Sequence, residues 1–178
     1  YIQWGFKEGR KTTFNPLNYI ASQPDLISAF GADGAKGARH YIQNGYAEKR
    51  QITFDPARYM ASHPDLIQAF AGDETKAATH YIQWGYKEKR QTTFTDLDAL
   101  QYVASFADLI QSIGSDVVTA IRHYVTTGYN AGRRISFDAL AYIASHGDLI
   151  AAFGTDALAG VKHYLRSEEH TSELQSRF

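Results

Sequence analysis

The sequence predicts an all-α fold, a tandem array of repeats of three short helices each, stacked like a solenoid. Three observations predict it. The pair His-Tyr returns at His40, His80, His123 and His163, at spacings of 40, 43 and 40 residues. Other landmarks keep the same rhythm: Phe14, Phe54, Phe94 and Phe137, Tyr-x-Ala-Ser from Tyr19, Tyr59, Tyr102 and Tyr142, and Asp-Leu-Ile from Asp25, Asp65, Asp108 and Asp148. Apolar residues such as Val117, Val118, Ile121, Tyr124 and Val125 fall on one helical face, and no stretch sustains a period of two. Recurrence every 20–50 residues or so is the mark of a stacked array.

The rhythm divides the chain into the end of a truncated repeat at 1–13, repeats at 14–53, 54–93 and 94–136, and a truncated repeat at 137–165. The third repeat is longer by Thr95, Asp96 and Leu97, expected in the connection ahead of its first helix, where added length is tolerated. At 166–178 the rhythm fails, with Glu168 and Glu173 where Gly and Arg are due. Residues 166–176, "RSEEHTSELQS", resemble a translated sequencing-library adapter, so 166–178 is read as an artefact of assembly and set aside. The absence of an initiator Met fits a truncated metagenomic fragment.

Within a repeat, Asn15-Pro16 or Asp55-Pro56 starts the first helix: the side chain accepts from an orphan N–H, and Pro suits the first helical position. Asp98 and Asp138 supply the cap without Pro. Ser-x-x-Asp follows, at Ser22/Asp25, Ser62/Asp65, Ser105/Asp108 and Ser145/Asp148, and is expected to cap the second helix in the manner of a capping box. Asp33, Asp73, Asp116 and Asp156 then stand at the start of a third helix, the longest of the three. Gly5, Gly45, Gly85 and Gly128 are expected to end it as left-handed C-cap residues. Helices of two or three turns are marginal alone, and about forty residues bury too little apolar surface to stand alone. Neighbouring repeats must therefore share a core, with the recurring Tyr and Phe expected to form it.

Composition narrows the function. A net charge of -1 lacks the electrostatic footprint of a nucleic-acid binder. No run of eighteen or more apolar residues offers a membrane span, and the lack of Cys removes disulfides and thiolate metal sites.

The unit F-[DN]-x-x-x-Y-x-A-S-x-x-D-L-I-x-x-F…H-Y-x-x-x-G-[FY]-x-x-x-R resembles a tandem module of large bacterial secreted and surface proteins, over Tyr1 to Leu165. Such proteins often also carry haemolysin-type calcium-binding repeats. A similar "HY…G…EGR" unit accompanies some bacterial glycosyltransferase domains. The resemblance implies an extracellular or cell-surface location and a scaffold, adhesive or binding role, with polysaccharide or protein as partner. It implies no cofactor and no activity of its own. Here Ala131 replaces the Glu of "EGR", Lys49 and Lys89 replace its Gly, and no calcium nonapeptide occurs.

Ser, Asp and His in every repeat, for example Ser62, Asp65 and His80, suggest a hydrolase triad. Yet no G-x-S-x-G elbow exists, and Ser with Asp three residues apart at a helix start already has a capping task. One His and one Asp loop per repeat fall short of the three or more converging ligands that zinc or calcium needs. No catalytic or metal-binding residue is therefore assigned. The position before the recurring Gly reads Trp4, Asn44, Trp84 and Thr127, a mixture that a buried site would not accept. Trp4 and Trp84 are the candidate ligand-binding residues, suited to stacking on sugar rings. The expected function is a non-enzymatic repeat scaffold, adhesion or binding module of a larger bacterial surface or secreted protein. The alternatives are a carbohydrate-binding surface through the Trp, and an accessory region of a glycosyltransferase or other enzyme whose catalytic domain lies elsewhere.

Overall fold

A computed structural model describes the backbone of residues 8–175 and side chains through residue 168. Among the described residues the fold is all-α, with no strand, and the helices recur as repeating short-helix units. The first repeat holds α1 (Pro16–Ala21), α2 (Pro24–Phe30) and α3 (Gly34–His40), followed by a π-helical turn, Tyr41–Gly45. The second holds α4 (Pro56–Ala61), α5 (Pro64–Phe70), α6 (Glu74–His80) and the π turn Tyr81–Gly85. The third holds α7 (Asp96–Ala104), α8 (Ala107–Ile113), α9 (Val117–His123) and the π turn Tyr124–Gly128. In the last, α10 (Ala139–Ala144) and α11 (Gly147–Phe153) precede α12 (Ala157–Gln175), which has no π turn.

Local chemistry accounts for these boundaries. The side chain of Asn15 accepts from the backbone N–H groups of Leu17 and Asn18 at the start of α1, and Asp138 does the same for Leu140 and Ala141 at the start of α10. Asp33, Asp73, Asp116 and Asp156 each accept a backbone N–H at the start of the third helix. The three-residue insertion lies elsewhere than expected. Thr95 caps α7 in a full capping box with Asp98, so Asp96 and Leu97 are helical and α7 has nine residues where α1 has six. Good capping residues at the new N-terminus make an added helical turn cheaper than a looped connection. The third helix is also not one long α-helix: Tyr46 N–H donates to the Tyr41 carbonyl at 2.9 Å, winding its end one residue wider per turn.

The described residues form two compact units. One takes the described residues up to Asp55 together with Ala78–Arg90; the other takes Pro56–Ala77 together with the described residues from Gln91 onward. In the first, Tyr19, Ile20, Ala21, Leu26 and Ile27 form a buried cluster that Ile82 of the next repeat completes, with Phe54 and Tyr81 packed against it. In the second, α4 packs against α9 and the π turn Tyr124–Gly128, while α7 packs against α12. Val125 and Leu165, the counterparts of Ile82, are buried there. A repeat thus borrows apolar cover from the third helix and turn of its successor. The recurring aromatics also hold each repeat to itself, since Phe14 stacks on Tyr41 and Phe54 on Tyr81, and Phe137 meets Tyr164 at a tilt, all with ring centroids 4.5 Å apart.

Candidate functional site

The serines do not cap the second helix as expected. The residue before each second helix is Gln23, His63, Phe106 or His146, and none makes a side-chain cap. Ser22 instead closes the C-terminus of α1. Its hydroxyl donates to the Asn18 carbonyl at 2.7 Å and accepts from the backbone N–H groups of Thr53 and Phe54, both at 2.9 Å. Ser62 repeats the pattern with Arg58, Thr93 and Phe94, and Ser105 with Gln101, Ser136 and Phe137. A hydroxyl has one proton and two lone pairs, and all three are engaged. The serine is a staple between the first helix of one repeat and the entry to the next. In sequence a Ser there can hydrogen-bond either way, and the longer-range role wins because it satisfies two otherwise orphaned N–H groups.

The aspartates stand in the first turn of the second helices, where negative charge is favoured. There Asp25 and Asp108 meet the recurring arginine. Arg50 donates to Asp25 at 2.7 Å, and Arg133 grips Asp108 through two bonds of 2.9 and 2.7 Å. Arg133 also lies over the Phe106 ring, 4.8 Å from its centroid. The hydrogen bonds from these arginines hold the Asp25 and Asp108 carboxyls below the usual range.

In the first, third and last repeats the His of the His-Tyr pair meets the tyrosine of its own repeat. Tyr19 OH lies 2.9 Å from His40 Nδ1, Tyr102 OH 2.8 Å from His123 Nδ1, and Tyr142 OH 3.0 Å from His163 Nδ1. Burial pushes the Tyr19 phenol above its ordinary value and that of Tyr102 up to about 12. A phenol so held keeps its proton, and the imidazole is tied up as its partner.

This pair explains the recurring glycine, again differently from expectation. Gly45, Gly85 and Gly128 are not left-handed C-caps, for each closes a π turn and the following Tyr46, Tyr86 or Tyr129 is still right-handed helical. A Cβ on Gly45 would stand 2.1 Å from Tyr19 OH, and one on Gly128 would stand 1.9 Å from Tyr102 OH. The glycine is there for space. Positive φ comes four residues later, at Gly9, Lys49, Lys89 and Gly132, the "EGR" glycine and its lysine replacements. Gly5 and Trp4 lie outside the described residues.

Trp84 is 59% exposed on its π turn, and Tyr86, leaning edge-on against Tyr81, is also exposed. Asn44 and Thr127, the counterparts of Trp84, are exposed as well. A second feature escaped the sequence reading. Phe30, Lys36, Arg39, His40 and Gln43 line an open hollow of ≈ 240 Å³ in the first repeat. Its basic lining is not kept in the second repeat, where Thr79 stands at the Arg39 position, whereas Arg122 and Lys162 hold that position in the third and last repeats. No group of three or more His, Cys, Asp or Glu gathers to hold a metal among the described residues, and no described helix is long and apolar enough to cross a membrane. Comparison with protein-family models, curated proteins and solved structures returned no match.

Proposed function

We propose that the chain is a non-enzymatic repeat scaffold of a larger bacterial surface or secreted protein, presenting a binding surface on its π turns. One observation supports this reading above others. In the third repeat the recurring Ser105, Asp108, His123 and Arg133 already bond to partners inside the array. A nucleophile needs a base at its hydroxyl proton, and the Ser105 proton goes to the Gln101 carbonyl instead. The surface or secreted location rests on the resemblance of the repeat unit alone. Assaying the chain against ester, peptide and glycoside substrates tests the non-enzymatic part: no turnover is expected, and turnover abolished by Ser105→Ala would overturn it.

Within that role, the exposure of Trp84 favours carbohydrate as the ligand. A flat, solvent-facing indole beside a second aromatic suits the apolar face of a sugar ring. Screening the chain and its Trp84→Ala variant against immobilised polysaccharides is the test. Retention lost with the indole supports the reading, and equal retention by both proteins, or none by either, ends it.

A further inference from the structure

The internal junctions of the array follow one rule, and the chain carries both halves of one more junction unfilled. The residue after the His-Tyr pair is a knob for the preceding repeat. Ile82 is 3% exposed, set against Tyr19, Ile20, Leu26 and Ile27. Val125 is buried where its π turn packs on α4, and Leu165 where α12 packs on α7 and α8. Ile42 holds the same position in the first repeat and is 80% exposed.

The seat for such a knob is the first and second helix of a repeat. Leu100, Tyr102 and Ile110 are buried on the third repeat beneath α12. Their counterparts on the last repeat are uncovered although α12 is in place: Leu140 is 49% exposed, Ile150 is 50% exposed, and Tyr142 is half-buried. Ala144 is exposed where Ala21, Ala61 and Ala104 are buried. Among the described isoleucines and leucines of the helices and π turns, Ile42, Leu140 and Ile150 are the exposed ones, and each lies where an internal junction closes.

We infer that these two faces bind each other between molecules: the Ile42 π turn of one copy seats on α10 and α11 of a second copy, extending the array head to tail. The contact is heterologous, so each copy keeps one face free for the next and association proceeds beyond the dimer unless the chain of copies closes on itself. The inference is independent of any ligand on Trp84, because it rests on Ile42 of a different π turn and on α10 and α11.

Sedimentation velocity of the full chain over a concentration series tests it. The expected result is a weight-average mass that rises with concentration through dimer and larger species. Ile42→Glu and Ile150→Glu each remove one face and are each expected to be monomeric over the same range, with circular dichroism and melting temperature unchanged because both side chains are already exposed. Mixed in equal amounts, the two variants each retain one intact face, and they are expected to form a dimer that grows no further. If Ile150→Glu disturbs folding, Leu140→Gln serves for the same face. A wild-type chain that stays monomeric at every concentration would overturn the inference and leave the faces to flanking repeats of a longer protein. So would variants that associate as the wild type does, or a mixture that stays monomeric.

Discussion

The third repeat, 94–136, has a neighbour on each side in the sequence pattern, and the last, 137–165, has a regular neighbour only before it. Their sequences read alike up to the His-Tyr pair, so their differences isolate what a neighbour contributes. Ser105 makes three hydrogen bonds, and Ser145, with the same preceding Tyr-x-Ala, makes only its local bond to the Ala141 carbonyl among the described residues. Ile110 is buried and Ile150 is not. The phenol–imidazole pair is indifferent, closing in both repeats. Among the described residues the module therefore has two classes of tie: those that fold it, which the last repeat keeps, and those that join it, which the last repeat lacks.

The largest expected effect is at Gly128. In Gly128→Ala the new methyl overlaps Tyr102 OH, so the pair with His123 or the π turn must give way, costing about 3 kcal/mol in urea unfolding, as overpacking a tight site does. A loss below about 1 kcal/mol would mean that the turn relaxes freely. Next comes the staple. Ser105→Ala strands the backbone N–H groups of Ser136 and Phe137, costing about 1–3 kcal/mol, whereas Ser145→Ala is expected to change stability by less than about 0.5 kcal/mol. Equal losses at the two sites would break the division into folding and joining ties.

Tyr102→Phe and Tyr142→Phe sharpen it from the other side. Both are expected to cost about 1 kcal/mol, because the hydrogen bond is internal to its repeat. The Tyr102 bond also sets a pH limit. The folded phenol titrates at about 12, above the ordinary value of 10.0, so the stability it contributes is complete below pH 10 and is lost as pH rises through 12. Thermal melts from pH 9 to 12 are expected to fall over that window, and Tyr102→Phe should flatten the fall. The smallest effect is expected from deleting 166–178: Leu165, the last fully buried knob, is kept, so the melting temperature should hardly move.

Most of the fold was legible because repetition prints structural constraints four times over. Boundaries set by Asn15, Asp33, Asp116 and Asp138 follow from side chains acting within a few residues of themselves, and those were read correctly. What escaped depends on partners far along the chain. Ser22 looks like a local cap until Thr53 and Phe54 are brought to it. Gly45 looks like a turn residue until Tyr19 is folded over it. In both, the residue type fitted two physical roles and spacing could not choose between them. Thr95 with Asp98 is the exception: the capping box is present in the letters, while the tolerance of connections for added length points to a loop instead. Exposure at Trp84 was legible from substitution at one position across copies, because Asn44 and Thr127 share its site.

The lengthened α7 has a further consequence for how this molecule can change. Tyr to His, Asp to Arg, and Ser to its two recipient amides keep the same sequence separation in the first and third repeats. The extra turn enters between Phe94 and Tyr102, a stretch that none of those measured spans crosses. That interval is where one copy has taken up an added helical turn while the spacing of those ties stayed fixed.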